Sequence, residues 1–291
     1  MIRTKSNRQS RTLARITASQ KAARKVTKTA RDFFKSQAER LANKFKANGG
    51  VLLASELMNA EDENERLQGE LVSPLLATWV AGAQLALTDV APLRRAISAA
   101  HLHREKVSTA TLASIEYEID ALEIELEIPR ELLLNIRAAL EENLNAPYWP
   151  DIQGVVVQDL QAIIDSSVSD GLSIVKTARA IQNSMTNLSR TRAIRIARTE
   201  VSGALNGGQV AGIQQIEAES GLGMTKEWLS VHGSTTRETH SEVDGQEVPV
   251  SGEFTVGGYS CRFPGDHRLP AEERINCQCG VLSGFLSAQG G

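Results

Sequence analysis

Residues 189–206 read SRTRAIRIARTEVSGALN, and this stretch decides the class of fold. Ile194, Ala197, Val201, Ala204 and Leu205 recur at helical spacing and form one apolar stripe. Arg192, Arg195 and Arg198 fall at every third position on the opposite side, with Arg190 just before them. A long helix from about Ser189 to Ser220 is therefore predicted, with Glu200 and Asn206 as polar positions beside the stripe. Such a basic face is ordinarily solvated; contact with an acidic neighbour or a phosphate is the other reading.

Working outward, Gly154–Val168 and Ser173–Met185 carry the same period and are predicted helices. Asp170-Gly171 and Asn187-Leu188-Ser189 are read as connectors, with Ser173 as an N-cap. The run from Asn145 to Pro150 breaks structure and marks the main boundary. Before it, Val51–Leu71 is acidic and periodic, Leu75–Leu87 is apolar, and Pro92 opens a new element. Residues Leu112–Ile128 fit a helix through Ile115, Ile119, Leu122 and Leu126, yet alternate at their end as a strand does. Pro129 is placed as the first residue of a helix reaching Leu144.

Beyond Gly221 the pattern changes. Thr225–Val231 is strand-like around Trp228, and residues 243–259 are rich in Gly and Val, with Asp244-Gly245 as a turn signal. Pro264, Gly265 and Pro270 punctuate the end. The expected fold is α+β and predominantly helical: a helical N-terminal two-thirds, then a small β-rich, loop-rich C-terminal unit. The expected divisions are a flexible basic arm (1–16), a basic amphipathic helix (17–50), a helical domain (51–150), a C-terminal domain (151–283) and a tail (284–291). Within the C-terminal domain, helices cover 154–220 and the β unit covers 224–283. No internal repeat is present.

The net charge of −3 over 291 residues conceals an asymmetry. Residues 1–46 hold 14 Lys and Arg against Asp32 and Glu39, while the remaining residues hold 18 basic and 33 acidic side chains. Ala23, Val26, Ala30, Phe33, Phe34, Ala38, Leu41 and Phe45 form an apolar stripe within this basic segment, and Asn48-Gly49-Gly50 supplies its stop. The stripe packs on the rest of the chain, on a partner or phosphate backbone, or on a membrane surface. Lys21, Arg24, Lys25, Lys28, Arg31 and Lys35 are the candidate contacts to DNA or a partner.

At 41% hydrophobic and 4% aromatic residues, the composition excludes wholesale disorder, collagen-like and disulfide-scaffold classes, and offers little for base stacking. Three cysteines fit a reducing compartment. The uncharged run Leu71–Thr88 contains Ser, Pro, Thr, Gly and Gln and reads as a buried helix, so no membrane span is expected. The Arg-rich start resembles a transit peptide, but it continues into a patterned helix.

Five metal-ligand types fall near the C-terminus: His240, Cys261, His267, Cys277 and Cys279. Thiolate and imidazole are the donors of a structural zinc, and a small loop-rich unit gains from a metal crosslink. Cys277-Gln278-Cys279 is C-x-C rather than the C-x-x-C of zinc ribbons, so an inert pair of thiols is the alternative. Arg237, His240 and Asp244 offer a cation, an imidazole and an acid for general acid–base work, or are solvated turn residues. P-loop, G-x-S-x-G, H-E-x-x-H and G-x-G-x-x-G patterns are absent.

The run from Arg192 through Arg198, Thr199 and Glu200, followed by Ala204 and Asn206, resembles the R-A-x-x-I-A-R-T-E…A-x-N signature of phage Mu F-like head morphogenesis proteins. Trp228, Thr236-Arg237, His240, Asp244-Gly245, Pro264 and Asn276–Cys279 follow in that family's order. The resemblance covers roughly residues 150–283. It implies a minor head protein of a tailed phage, associated with the portal vertex and acting in head morphogenesis or genome delivery, with no catalysis. The implied partners are portal protein, scaffold or major capsid protein, and packaged double-stranded DNA. The implied location is the capsid interior at the portal vertex, after assembly in host cytoplasm. The alternative is a phage-delivered toxin-like enzyme or nuclease using Arg237, His240 and Asp244.

Related sequences pair C-x-x-C-x-x-x-D-G with a later H-P-x-C-R-C. Here His240 takes the second cysteine position, and Cys277 and Cys279 match the later half. Arg237 stands where the first Cys would be, and Ile275 is taken for the His position. The resemblance thus implies one structural zinc on His240, Cys277 and Cys279, with Asp244, His267 or Cys261 as a fourth ligand.

Overall fold

The computed structural model describes residues 5–50, 53–89 and 128–285. The element expected to open at Pro92, nearly all of the ambiguous run (residues 112–127) and the tail beyond Phe285 lie outside the described residues. Among the described residues, six helices come first: α1 (Lys5–Ala47), α2 (Ala54–Leu57), α3 (Ala60–Asp89), α4 (Arg130–Leu144), α5 (Trp149–Ser169) and α6 (Ile174–Ser220). The C-terminal part then alternates β1 (Met224–Leu229), α7 (Glu238–Glu242), β2 (Glu247–Pro249), β3 (Phe254–Val256), β4 (Tyr259–Cys261), α8 (Ala271–Arg274) and β5 (Gly280–Phe285). The fold is α+β and mostly α.

Three local expectations differ from this structure. The stretch 1–16, read as a flexible arm, is helical from Lys5, because Arg11 and Arg15 are tied into the fold: Arg11 donates to the Ser283 carbonyl at 3.1 Å and Arg15 is buried. The connector expected at Asn187-Leu188-Ser189 is continuous helix within α6; it lacks Gly and Pro, and the Ser189 hydroxyl donates to the Thr186 carbonyl at 2.6 Å. Residues 60–71 of the acidic run and the apolar Leu75–Leu87, read as separate segments, share α3, with Pro74 inside it, while residues 54–57 of that run form α2.

The chain forms two compact units, each discontinuous in sequence: residues 1–21, 76–141 and 199–291 in one, and 22–75 and 142–198 in the other. These divisions cut across the linear domains read from composition. Helices α1, α3, α4 and α6 each pass from one unit to the other, so packing sets the division, and local composition carries no mark of it.

In the second unit, Val26, Ala30, Phe33, Phe34, Ala38, Leu41 and Phe45 of α1 are buried, as are Leu67 and Leu71 of α3 and Trp149, Val156 and Leu160 of α5. The α1 stripe is therefore covered by this chain, and the readings that placed it on a partner or a membrane are corrected. Gln37 sits within the stripe, fully buried, and donates to Gln153 Oε1 and Glu63 Oε2, both at 3.0 Å. Arg192 pairs with Asp159, and its guanidinium lies 5.9 Å from the Phe34 ring centroid. An acidic neighbour thus accounts for that member of the basic face.

In the first unit, α3 and α6 meet through glycines. A Cβ on Gly208 would collide with the Trp79 carbonyl, and one on Gly212 would come within 2.9 Å of the Ala83 carbonyl. Only hydrogen at these positions admits the neighbouring backbone. Residues Ala60–Thr88 are long and apolar enough to cross a membrane, yet Leu76, Trp79, Val80 and Ala83 bury their side chains within the protein.

The strands form a three-stranded antiparallel sheet in the order β2-β1-β5, with Trp228 opposite Val281, and a separate hairpin of β3 and β4. Trp228, Phe254, Val256, Cys261, Leu269, Cys277 and Cys279 make one buried cluster. Metal-ligand residue types therefore sit inside the core of this small unit.

Candidate metal centre

The centre is assembled from two segments. His240 lies on α7, whose N-cap is Arg237. Cys277 and Cys279 lie on the loop between α8 and β5. Asn276, at the head of this loop, adopts a left-handed φ of 59°, a conformation that Asn tolerates better than most residues.

His240 Nδ1 lies 3.3 Å from Cys279 Sγ and 3.7 Å from Cys277 Sγ. The three donor atoms all lie within 4.8 Å of one another. Tetrahedral zinc with ordinary bond lengths places nitrogen and sulfur ligands ~3.6 Å apart. The two nitrogen–sulfur spacings bracket that value, so this His/Cys/Cys group could hold a metal. His240 Nε2 lies 3.0 Å from Glu273 Oε2, which also accepts from the Thr239 hydroxyl at 2.9 Å. A carboxylate on the far ring nitrogen fixes the tautomer that presents Nδ1 to a metal. His240, Cys277 and Cys279 are 1–3% exposed. Trp228 walls the site edge-on, 5.6 Å from His240.

The electrostatics favour thiolate. A hydrogen bond from Cys279 holds the Cys277 thiol well below its ordinary range against the cost of burial, and His240 adds to the effect. Cys279 is pushed up because its proton is engaged by Cys277 and because it is buried. Burial opposes protonation of His240, but hydrogen bonding to Cys277 and the thiolate charge raise its pKa. The pair thus loses one proton readily; a cation would have to favour loss of the second.

The other proposed ligands are engaged elsewhere. Asp244 accepts the Ser230 N–H at 2.7 Å and lies 3.1 Å from His232 Nε2. His267 lies 3.7 Å from Asp266. Cys261 is in the hydrophobic cluster, where burial pushes its thiol up to about 12. Among the described residues, none of the three joins the group of donors. The expectation of a fourth ligand from Asp244, His267 or Cys261 is corrected accordingly. Asp244 pairs with His232 and the Ser230 N–H, so Arg237, His240 and Asp244 are not assembled as an acid–base trio.

The α6 signature residues hold the ligand loop. The Asn276 N–H donates to the Thr199 hydroxyl at 3.1 Å, and Arg274 forms a 2.7 Å ion pair with Glu200, both side chains under 5% exposed. Asn206 donates to the carbonyls of Pro264 at 2.8 Å and Cys279 at 2.9 Å. Gly245, with φ of 77°, donates its N–H to the Trp228 carbonyl at 2.8 Å. Arg198 is exposed. Counting back from Cys277, the motif histidine falls at Arg274, one residue before Ile275, so an ion pair with α6 stands at that position. Glu273, Arg274 and Arg15 were missed in the sequence, where nothing separates them from other charged residues.

Residues 158–282 match the family described as Phage Mu protein F like protein. Over that span the chain resembles this family. It is 35% identical over 127 residues to the NAD(+)--arginine ADP-ribosyltransferase EFV of Enterococcus faecalis, covering 44% of this chain and 26% of that protein. It is 32% identical over 138 residues to the uncharacterized protein YqbB of Bacillus subtilis, covering 46% of this chain and 42% of that protein. The chain thus spans less than half the length of either relative. No solved structure matches. The expectation of a unit without catalysis is corrected by the first relative, since a protein sharing this region is named as an enzyme.

Proposed function

We propose that the chain is a minor head protein at the portal vertex, acting in head morphogenesis and genome delivery. The observation that carries this is the family match, supported by the assembly of its signature residues, Thr199, Glu200 and Asn206, around one ligand loop. The C-terminal unit is then a folded anchor locked by one zinc on His240, Cys277 and Cys279. The basic face of α1 meets packaged DNA or an acidic surface of portal or scaffold. Lys21, Arg24, Lys25, Lys28 and Lys35 are exposed and Arg31 is half-buried, so the face is available. Co-expression with the portal protein of the same phage tests the reading: co-purification supports it, and separate elution contradicts it. Elemental analysis should find about one zinc per chain, lost in Cys277→Ser; a metal-free native protein contradicts that part.

A second reading is favoured by the 35% identity to a named transferase: a phage-delivered effector that transfers ADP-ribose from NAD to arginine. Labelled NAD with an arginine-rich acceptor tests it. Transfer above that of the heat-inactivated chain supports it, and equal labelling contradicts it.

A further inference from the structure

The donor group is one short of the four ligands of a closed tetrahedral shell, and Arg237 lines the same cleft as its three members. Arg237 lies three residues before His240, at the position of the first Cys in the C-x-x-C half of the motif. Its Nη2 donates to the Ile275 carbonyl at 2.6 Å, which fixes the guanidinium between α7 and the ligand loop. A cleft of about 50 Å³ is lined by Thr235, Thr236 and Arg237 on one side and by Asn276 and Gln278 on the other, with the three donor residues completing its wall. Among the described residues, the donor group has three members.

Resting on the metal reading above, we propose that the centre keeps one coordination position open to this cleft, and that Arg237 makes it a site for a small oxyanion, the phosphate or carboxylate group of a ligand. Closed four-ligand shells are structural, whereas three protein ligands leave room for an exchangeable one. Two thiolates and a neutral imidazole cancel the charge of a divalent cation. The adjacent guanidinium then leaves the cleft net positive, and its planar fork suits an oxyanion. The cleft has room for one small group.

The test uses the full chain loaded with cobalt(II) as a spectroscopic stand-in. Visible absorption is recorded while inorganic phosphate or acetate is added, and metal content is measured throughout. In the native protein either anion should shift the spectrum saturably. Arg237→Gln should retain one metal per chain and bind the anion about tenfold more weakly. Arg237→Cys should gain thiolate-to-metal charge-transfer intensity and lose the anion response, because the motif's fourth ligand is restored. A native spectrum indifferent to both anions overturns the proposal, as does an Arg237→Cys spectrum without added sulfur character. Failure to bind cobalt at all would overturn the metal reading itself, a result distinct from a bound metal that ignores anions.

Discussion

Arg15 and Asn206 converge on one acceptor: the Cys279 carbonyl receives hydrogen bonds from Arg15 at 2.7 Å and Asn206 at 2.9 Å, and Arg15 also donates to Asn206 Oδ1 at 2.8 Å. The first helix and the long helix thus both hold the backbone of a candidate metal ligand. Gly280 is required beside it, since a Cβ there would meet the Arg15 guanidinium. Burial lowers the Arg15 pKa to about 10, and the neighbouring Cys277 and Cys279 sulfurs act in the other direction, which leaves a cation beside the thiols.

Arg15→Ala should therefore destabilise the protein by about 2–3 kcal/mol, the range for removing a hydrogen bond to a charged group. Chemical denaturation measures it. Arg15→Lys should recover little, because an ammonium cannot reproduce the planar fork that serves both Asn206 and Cys279.

The α3–α6 packing gives a paired prediction. Gly208→Ala places a methyl group into the Trp79 backbone and should cost about 3 kcal/mol or more. Gly69→Ala, in the same α3 and with open space around it, should gain about 0.5–1 kcal/mol from helix propensity. Thermal melts of both variants decide the matter.

Acid should weaken the β unit through Asp266. Burial opposes its ionisation, but hydrogen bonds from Arg262 and Arg268 overcome this and hold its pKa far below the ordinary carboxylate range. A depressed carboxylate contributes stability above its unfolded pKa of 3.8, and that contribution is lost as pH falls below it. The melting temperature should fall progressively as the pH drops below about 4, more steeply in the native protein than in Asp266→Asn. At neutral pH the variant should be less stable by about 3 kcal/mol.

The basic face of α1 cannot be tested by removing residues 1–46, since that deletes the buried Phe33, Phe34 and Phe45. Changing Lys21, Arg24, Lys25, Lys28 and Lys35 to Gln keeps the core. Duplex DNA affinity should fall at low salt, and the log–log salt slope should shrink by about 0.9 for each phosphate left without its cation. Unchanged binding would remove DNA as the partner of this face.

Much of the fold was legible because its signals are local. The periodicity at Ile194–Leu205 sits on α6, the apolar run around Trp228 sits on β1, and Pro129 directly precedes α4. His240, Cys277 and Cys279 were legible by ligand type, although 37 residues separate the first two. What stayed hidden depends on long-range packing. Glu273 is one acid among several in AEER, and its role comes from the orientation of His240. Arg15 lies 264 residues from Cys279, in a segment whose charge suggested an external partner. The compact units were invisible because α1, α3, α4 and α6 pass through both.

The central claim is that this chain is built into the phage head. The most direct measurement is quantitative mass spectrometry of purified particles, with peptides from residues 158–282 as the reporter. These peptides are expected in every preparation, in a fixed low ratio to the major capsid protein. Their absence from infectious particles would contradict the claim.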